Sequence, residues 1–323
     1  MPRPAAQPQP LPAAGARAGG EVRARRRFPV PERYDLPATV GPLVVGRRDP
    51  TARLGVREFW RASRTPDGAG VVRLCHDGGD LIATGYGPGG PWLVERAEAL
   101  AGLHQPLGDF REVAARHRVV AGLAARSPDV LLPRSGRVFQ ELLGTVLQQK
   151  VTWQEAVRSY LGVVRHFGEP APGPVPMLLP PAPEAVAATP YWVFHRYGVE
   201  QRRADTLRRA ASVAARLEET VDLSPEAASH RLRSVSGIGP WTVGELGRLA
   251  YGDPDAVSVG DYHLPHQVAY TLAGEPRADD ARMLELLEPF AGHRGRVVRL
   301  VVAAGNRPPR RGPRRPLRDF SRC

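Results

Sequence analysis

Cysteine is almost absent from this chain. Of 323 residues only Cys75 and Cys323 carry a thiol, which excludes a disulfide framework and a four-cysteine zinc or iron–sulfur site. Lysine is scarcer still. Lys150 is the single lysine, so chemistry that needs an amine must use it or the terminal amine. No apolar run is long enough to cross a bilayer, and no signal-peptide core opens the chain. These absences lead us to expect a cytoplasmic protein in a reducing compartment, without a membrane partner. Acidic residues are also in deficit, giving a net charge of +12. That excess is not spread evenly. Residues 1–27 carry six arginines and one glutamate, and residues 306–323 carry seven arginines and one aspartate, which leaves +1 for everything between. Both tails are basic and proline-rich, a composition of disordered segments suited to weak phosphate contact or to solubility alone.

Between the tails the chain changes character once. Runs such as "GVREFWRAS", "GVVRLCHD" and "DLIATGYG", punctuated by "TPDGAG" and "DGG", predict strands and tight turns over 41–88, followed by a helix near 92–103. From about Phe110 the apolar residues fall at three- and four-residue spacing, which predicts helices. The proline-rich stretch 169–185 interrupts those helices without marking a domain boundary, and "YWVFHRYG" reads as packing between helices. The expected organisation is a tail over 1–27, an α/β domain over 28–109, a helical core over 110–305 and a second tail over 306–323.

One stretch carries chemistry. In "SPEAASHRLRSVSGIGPWTVGEL", Ser224 and Pro225 open one helix and Pro240 opens another. Between them Gly237-Ile238-Gly239 permits a hairpin with outward N–H groups and an inward Ile238. A helix N-terminus beside such N–H groups binds a phosphate without any side-chain charge. An ordinary αα-hairpin uses the same glycines. Downstream, "VSVGDYHLP" places Asp261 where it either caps a helix starting near His263 or serves as an isolated carboxylate. A metal reading of Asp261, His263 and His266 is disfavoured by Pro265 and by the lack of a further ligand pattern.

With "FQELLGTVLQQKVTWQEA", "RRADTLRRAA", "LRSVSGIGPWTVGEL" and "VSVGDYHLPHQVAYTLAG" in this order, residues 110–305 resemble the helix–hairpin–helix DNA glycosylases, nearest the 3-methyladenine DNA glycosylase II branch. The resemblance implies a mainly α fold: a two-lobed helical core containing the hairpin, with a smaller N-terminal α/β domain built on an antiparallel sheet. It implies duplex DNA with damaged bases as the partner, a monomer, and Asp261 as the catalytic carboxylate. Gly237, Ile238, Gly239 and Thr242 would hold DNA at the hairpin. Gln148, Gln149, Lys150 and Thr152 would meet the minor groove as contact or wedge residues. Trp241 would face the base, since an indole attracts a cationic alkylated purine, or simply pack its helix. Strand-cleaving relatives carry a lysine where this chain has Trp241, so the expected enzyme is monofunctional. No cofactor is implied beyond a possible monovalent cation at hairpin carbonyls. Two departures bear on the base pocket: Glu245 stands where an aromatic is expected, and Phe290 and His293 are the candidates for a later aromatic. A non-catalytic DNA-binding module and, less in keeping with the residues, an oxidised-base lyase are the competing readings.

Overall fold

The computed structural model describes residues 20–105 and 107–309; the outer parts of both basic tails lie outside the described residues. Five antiparallel strands, β1 (Val22–Pro29), β2 (Ala52–Leu54), β3 (Glu58–Thr65), β4 (Gly68–Asp77) and β5 (Asp80–Tyr86), form one sheet in the order β1-β5-β4-β3-β2. The sheet corrects the expected boundary of the N-terminal tail. Val22–Pro29 is an edge strand, with Arg25 opposite Thr84 and Phe28 opposite Leu81. Its four arginines hid it, because an edge strand needs few apolar contacts and charge protects it from pairing with other chains. Arg27 donates to Asp77 and Asp80 at 3.0 and 2.9 Å, while Phe28 alone is buried.

Alternation along the strands buries both faces. One face packs Phe59, Val72, Leu74, Leu81 and Ala83 against the helices Gly90–Glu95 and Ala97–Leu100, which replace the single helix expected there. The other face packs Trp60, Val71 and Tyr86 beneath Ala171, Met177 and Leu179. The proline-rich connector is therefore the second cover of the sheet, which accounts for its place inside the helical part of the sequence.

The helical residues form two cores, in keeping with the two lobes that the resemblance implies. One gathers Val138–Leu147, Trp153–Phe167, Gln201–Ser212 and the hairpin; the other gathers Phe110–Ala115, Arg118–Arg126, Leu264–Ala273, Asp280–Leu287 and Arg294–Ala304. Every residue of Val138–Leu147 is buried, the signature of a helix enclosed on all sides. Buried Arg203 donates to the Leu147 carbonyl at 2.9 Å and so satisfies its C-terminal end. Within "YWVFHRYG", Phe194 is fully buried as expected, whereas Trp192 is exposed.

Buried polar contacts fasten the sheet to the central helix. Arg61 on β3 pairs with Glu141 and donates to the Leu43 carbonyl at 2.8 Å, and Gln140 donates to the Ala62 carbonyl at 3.1 Å. Burial pushes the Glu141 carboxyl up, and Arg61 opposes that shift. Removing one member of such a pair strands the other in low dielectric. Glu141→Ala should therefore cost about 3–5 kcal/mol in chemical denaturation. A second expectation concerns acid. Burial, assisted by Arg134, lowers His104 to about 4, whereas the unfolded side chain takes up its proton near pH 6.5. Stability is thus present above about pH 6.5 and declines as the pH falls toward about 4, by on the order of 2 kcal/mol. Thermal unfolding across that range should show the decline, and His104→Asn should flatten it.

Candidate active site

The hairpin joins the helices Pro225–Arg233 and Pro240–Leu246. Ser224 caps the first, accepting from the Ala227 N–H at 3.3 Å, and Ile238 is buried in the first helical core, both as predicted. Gly237 has φ +100°, and a Cβ there would stand 2.1 Å from Thr206 Oγ1, so only glycine fits. Gly239 is the N-cap of Pro240–Leu246. The first-turn N–H groups of that helix lack intrahelical partners, and with the helix dipole they favour an anion.

The turn after Val138–Leu147 is bound to the hairpin rather than merely beside it. Gln149 Nε2 donates to the Gly237 carbonyl and to Thr242 Oγ1, each at 3.0 Å. Thr242 is 1% exposed, so its expected place on the DNA surface is corrected: it anchors Gln149 from within. Gln148 turns back onto the Gly144 carbonyl at 3.1 Å. Thr152 forms a capping box with Glu155, its N–H and hydroxyl donating to the Glu155 carboxylate at 2.8 Å. These bonds make Gln149 and Thr152 braces and leave the tip to Lys150 and Trp153. Lys150 is exposed with φ +56°, the one left-handed non-glycine among the described residues. Such backbones concentrate at functional turns. Trp153 is 53% exposed.

Asp261 lies between the hairpin and the second helical core. Its Oδ1 accepts the N–H groups of His263 and Leu264 at 2.7 and 2.8 Å, capping Leu264–Ala273, and its Oδ2 accepts Trp241 Nε1 at 3.0 Å. The loop that carries it is clamped on both sides. Asp255 takes bonds from Arg294 at 2.9–3.0 Å, and the Gly260 N–H donates to Asp280 at 3.0 Å. Burial works against the Asp255 carboxylate, but the bonds from Arg294 outweigh it and hold the group below the usual range. Gly244 lets this loop touch the hairpin helix, since a Cβ there would lie 2.5 Å from the Val257 carbonyl.

The other expected pocket residues separate. Glu245 is 7% exposed, paired with Arg248 and accepting from Ser258 Oγ at 2.6 Å. Phe290 is wholly enclosed in the second helical core, which corrects its assignment to the pocket: no face is left for a base. His293 pairs with Asp109 at 2.8 Å and lies against Phe110, so it belongs to that core's rim. His266 Nδ1 accepts the Ala278 N–H at 3.1 Å, and no cluster of three His, Cys, Asp or Glu side chains suited to a metal occurs among the described residues. The hairpin carbonyls of Ser236 and Gly237 accept from Arg209 and Gln149. A hollow of about 260 Å³ lined by Leu107, Phe110, Ala114 and Val130 shares no residue with this site.

Sequence reasoning missed four neighbours of the site: Arg209 on the hairpin, Arg248, Ser258, and Tyr262, which is 77% exposed beside Asp261. Only the Glu245–Arg248 spacing, an i,i+3 pair on a helix, gave a usable signal. Gly237→Ala should destabilise the fold by at least about 2 kcal/mol, measurable by chemical denaturation.

No protein-family model and no curated protein sequence matches the chain. Solved structures do. A 3-methyladenine DNA glycosylase from Archaeoglobus fulgidus superposes with a TM-score of 0.74 at 17% identity, over 85% of this chain and 96% of that one. MBOgg1, solved with a low-affinity DNA ligand, gives 0.69 at 14% identity over 88% and 99%. The Clostridium acetobutylicum 8-oxoguanine glycosylase/lyase, solved with duplex DNA holding cytosine opposite 8-oxoguanine, gives 0.65 at 13% identity over 85% and 93%. The chain has the fold of the helix–hairpin–helix DNA glycosylases.

Proposed function

We propose that this chain is a monofunctional DNA N-glycosylase that removes alkylated purines from duplex DNA. The observation that carries the reading is the bond from Trp241 to Asp261, which sets a carboxylate against the helix that follows the hairpin. In this reading the hairpin holds the backbone, the Lys150–Trp153 turn enters the minor groove, and the damaged nucleotide swings out toward Asp261. Loss of the base builds positive charge on the deoxyribose. Asp261 stabilises that cation and orients the water that attacks C1′, so the free base and an abasic site are the products. An alkylated purine leaves readily because it is already cationic. The faces of the Trp241 indole favour such a base by about 0.5–2 kcal/mol.

The hairpin position that bears lysine in strand-cleaving relatives is Trp241, and the sole lysine sits on the opposing turn. This supports hydrolysis rather than Schiff-base chemistry. The second reading, a DNA-binding module without turnover, draws on Asp261 Oδ1, which caps Leu264–Ala273 as a purely structural aspartate would.

Asp261→Asn separates the two, because asparagine keeps a capping oxygen but no charge. Purified protein, with EDTA present, would be incubated with duplexes carrying 7-methylguanine, 3-methyladenine, hypoxanthine or 8-oxoguanine. Wild type should release the methylated bases, with strand breaks only after alkali and no borohydride-trapped adduct. Asp261→Asn should bind equally and release base at least about 100-fold more slowly. Binding without release from any lesion would leave the DNA-binding module standing.

A further inference from the structure

The mechanism above uses Asp261 and Trp241 and leaves Glu245 unemployed, although its carboxylate is nearly sealed from water. A buried charge is expensive, and an apolar side chain of similar size commonly serves stability as well or better. Glu245 lies on the helix face that presents Trp241, one turn farther on. Each of these side chains ties the helix to the same short loop. Trp241 donates to the Asp261 carboxylate at 3.0 Å, and Glu245 Oε1 accepts the Ser258 hydroxyl at 2.6 Å. Ser258 is itself buried, and its carbonyl accepts the Asp261 N–H at 3.3 Å. A continuous path therefore runs from Glu245 through the Ser258 side chain and backbone to Asp261.

Arg248 fixes the start of that path. Its Nε donates to Glu245 Oε1 at 3.0 Å and its Nη2 pairs with Oε2. This two-point grip orients the carboxylate plane as a single bond would not. The close contact at Gly244 brings the Val257–Ser258 backbone within reach, so a side chain as short as serine can span the gap. We propose that Glu245 is a positioning residue for Asp261, holding the loop through the Ser258 hydroxyl in an orientation set by Arg248. The catalytic part of this assignment rests on the glycosylase reading; the positioning of the carboxylate does not.

Two readouts on the full-length protein keep these parts apart. Amide hydrogen exchange at His263 and Leu264, whose N–H groups donate to Asp261 Oδ1, reports the carboxylate's placement without any substrate. Steady-state base release from a methylated duplex reports its use. In Glu245→Ala both amides should exchange faster, and kcat should fall about 100-fold with KM close to wild type, the size of loss that follows a misplacement of about 1 Å. Ser258→Ala should behave alike. Glu245→Gln keeps an oxygen for Ser258 but loses the two-point grip of Arg248, and should fall between Glu245→Ala and wild type in both protection and kcat. If Glu245→Ala cannot be purified folded, Ser258→Ala and Glu245→Gln carry the comparison. Unchanged exchange at both amides in Ser258→Ala would overturn the proposal. So would a raised KM at unchanged kcat, which would make Glu245 a wall of the base pocket. Absence of base release by wild type overturns the glycosylase reading, and the exchange data alone then decide the positioning claim.

Discussion

The hydrogen bond from the Trp241 indole to Asp261 is the constraint on which the site depends. The hairpin helix belongs to one hydrophobic core and the Asp261 loop leads into the other. Without a tie between them, the hairpin turn and the carboxylate would be separate features on two lobes. The bond, together with the Ser258–Glu245 contact, fixes their separation. One oxygen of Asp261 accepts the N–H groups at the start of Leu264–Ala273, while the other faces the tryptophan. In the proposed function, capping and chemistry draw on different atoms of this group, and the cap restricts its rotamer.

Around that bond the fold uses polar contacts for registration. Arg61 with Glu141 sets the sheet on the central helix, Gln149 sets the turn on the hairpin, and Arg294 with Asp255 sets the loop on the last helix. Apolar burial supplies the stabilisation but is indifferent to small slides between elements. Directional bonds remove that freedom where two elements must present groups to one ligand.

Much of this was legible in the sequence because it is local. Ser224-Pro225, Gly237-Ile238-Gly239 and Pro240 are punctuation whose meaning depends on backbone geometry alone, and the helices followed from apolar spacing. What stayed hidden depends on distant partners. Val22–Pro29 looks like a tail until β5 supplies its hydrogen bonds. Thr242 looks available to DNA until Gln149 is folded onto it, and Phe290 looks like a pocket aromatic until the second core closes around it. Glu245 shows the limit most clearly: its neighbour Arg248 was visible along the helix, whereas Ser258 is reached only through a loop.

The all-round burial of Val138–Leu147 has a mechanical meaning. A helix packed on every side has no direction in which to yield, and the turn at its end is braced against the hairpin by Gln149. In the proposed function, the duplex therefore meets a stiff tool rather than a compliant one, and nearly all the distortion needed to extrude a nucleotide must come from the DNA. A lesion's rate of processing then depends on the elasticity of its neighbouring base steps as much as on the altered base. Flexible pyrimidine–purine steps bend at less cost than stiff tracts. Sequence context becomes a form of selectivity that requires no contact with the flanking bases.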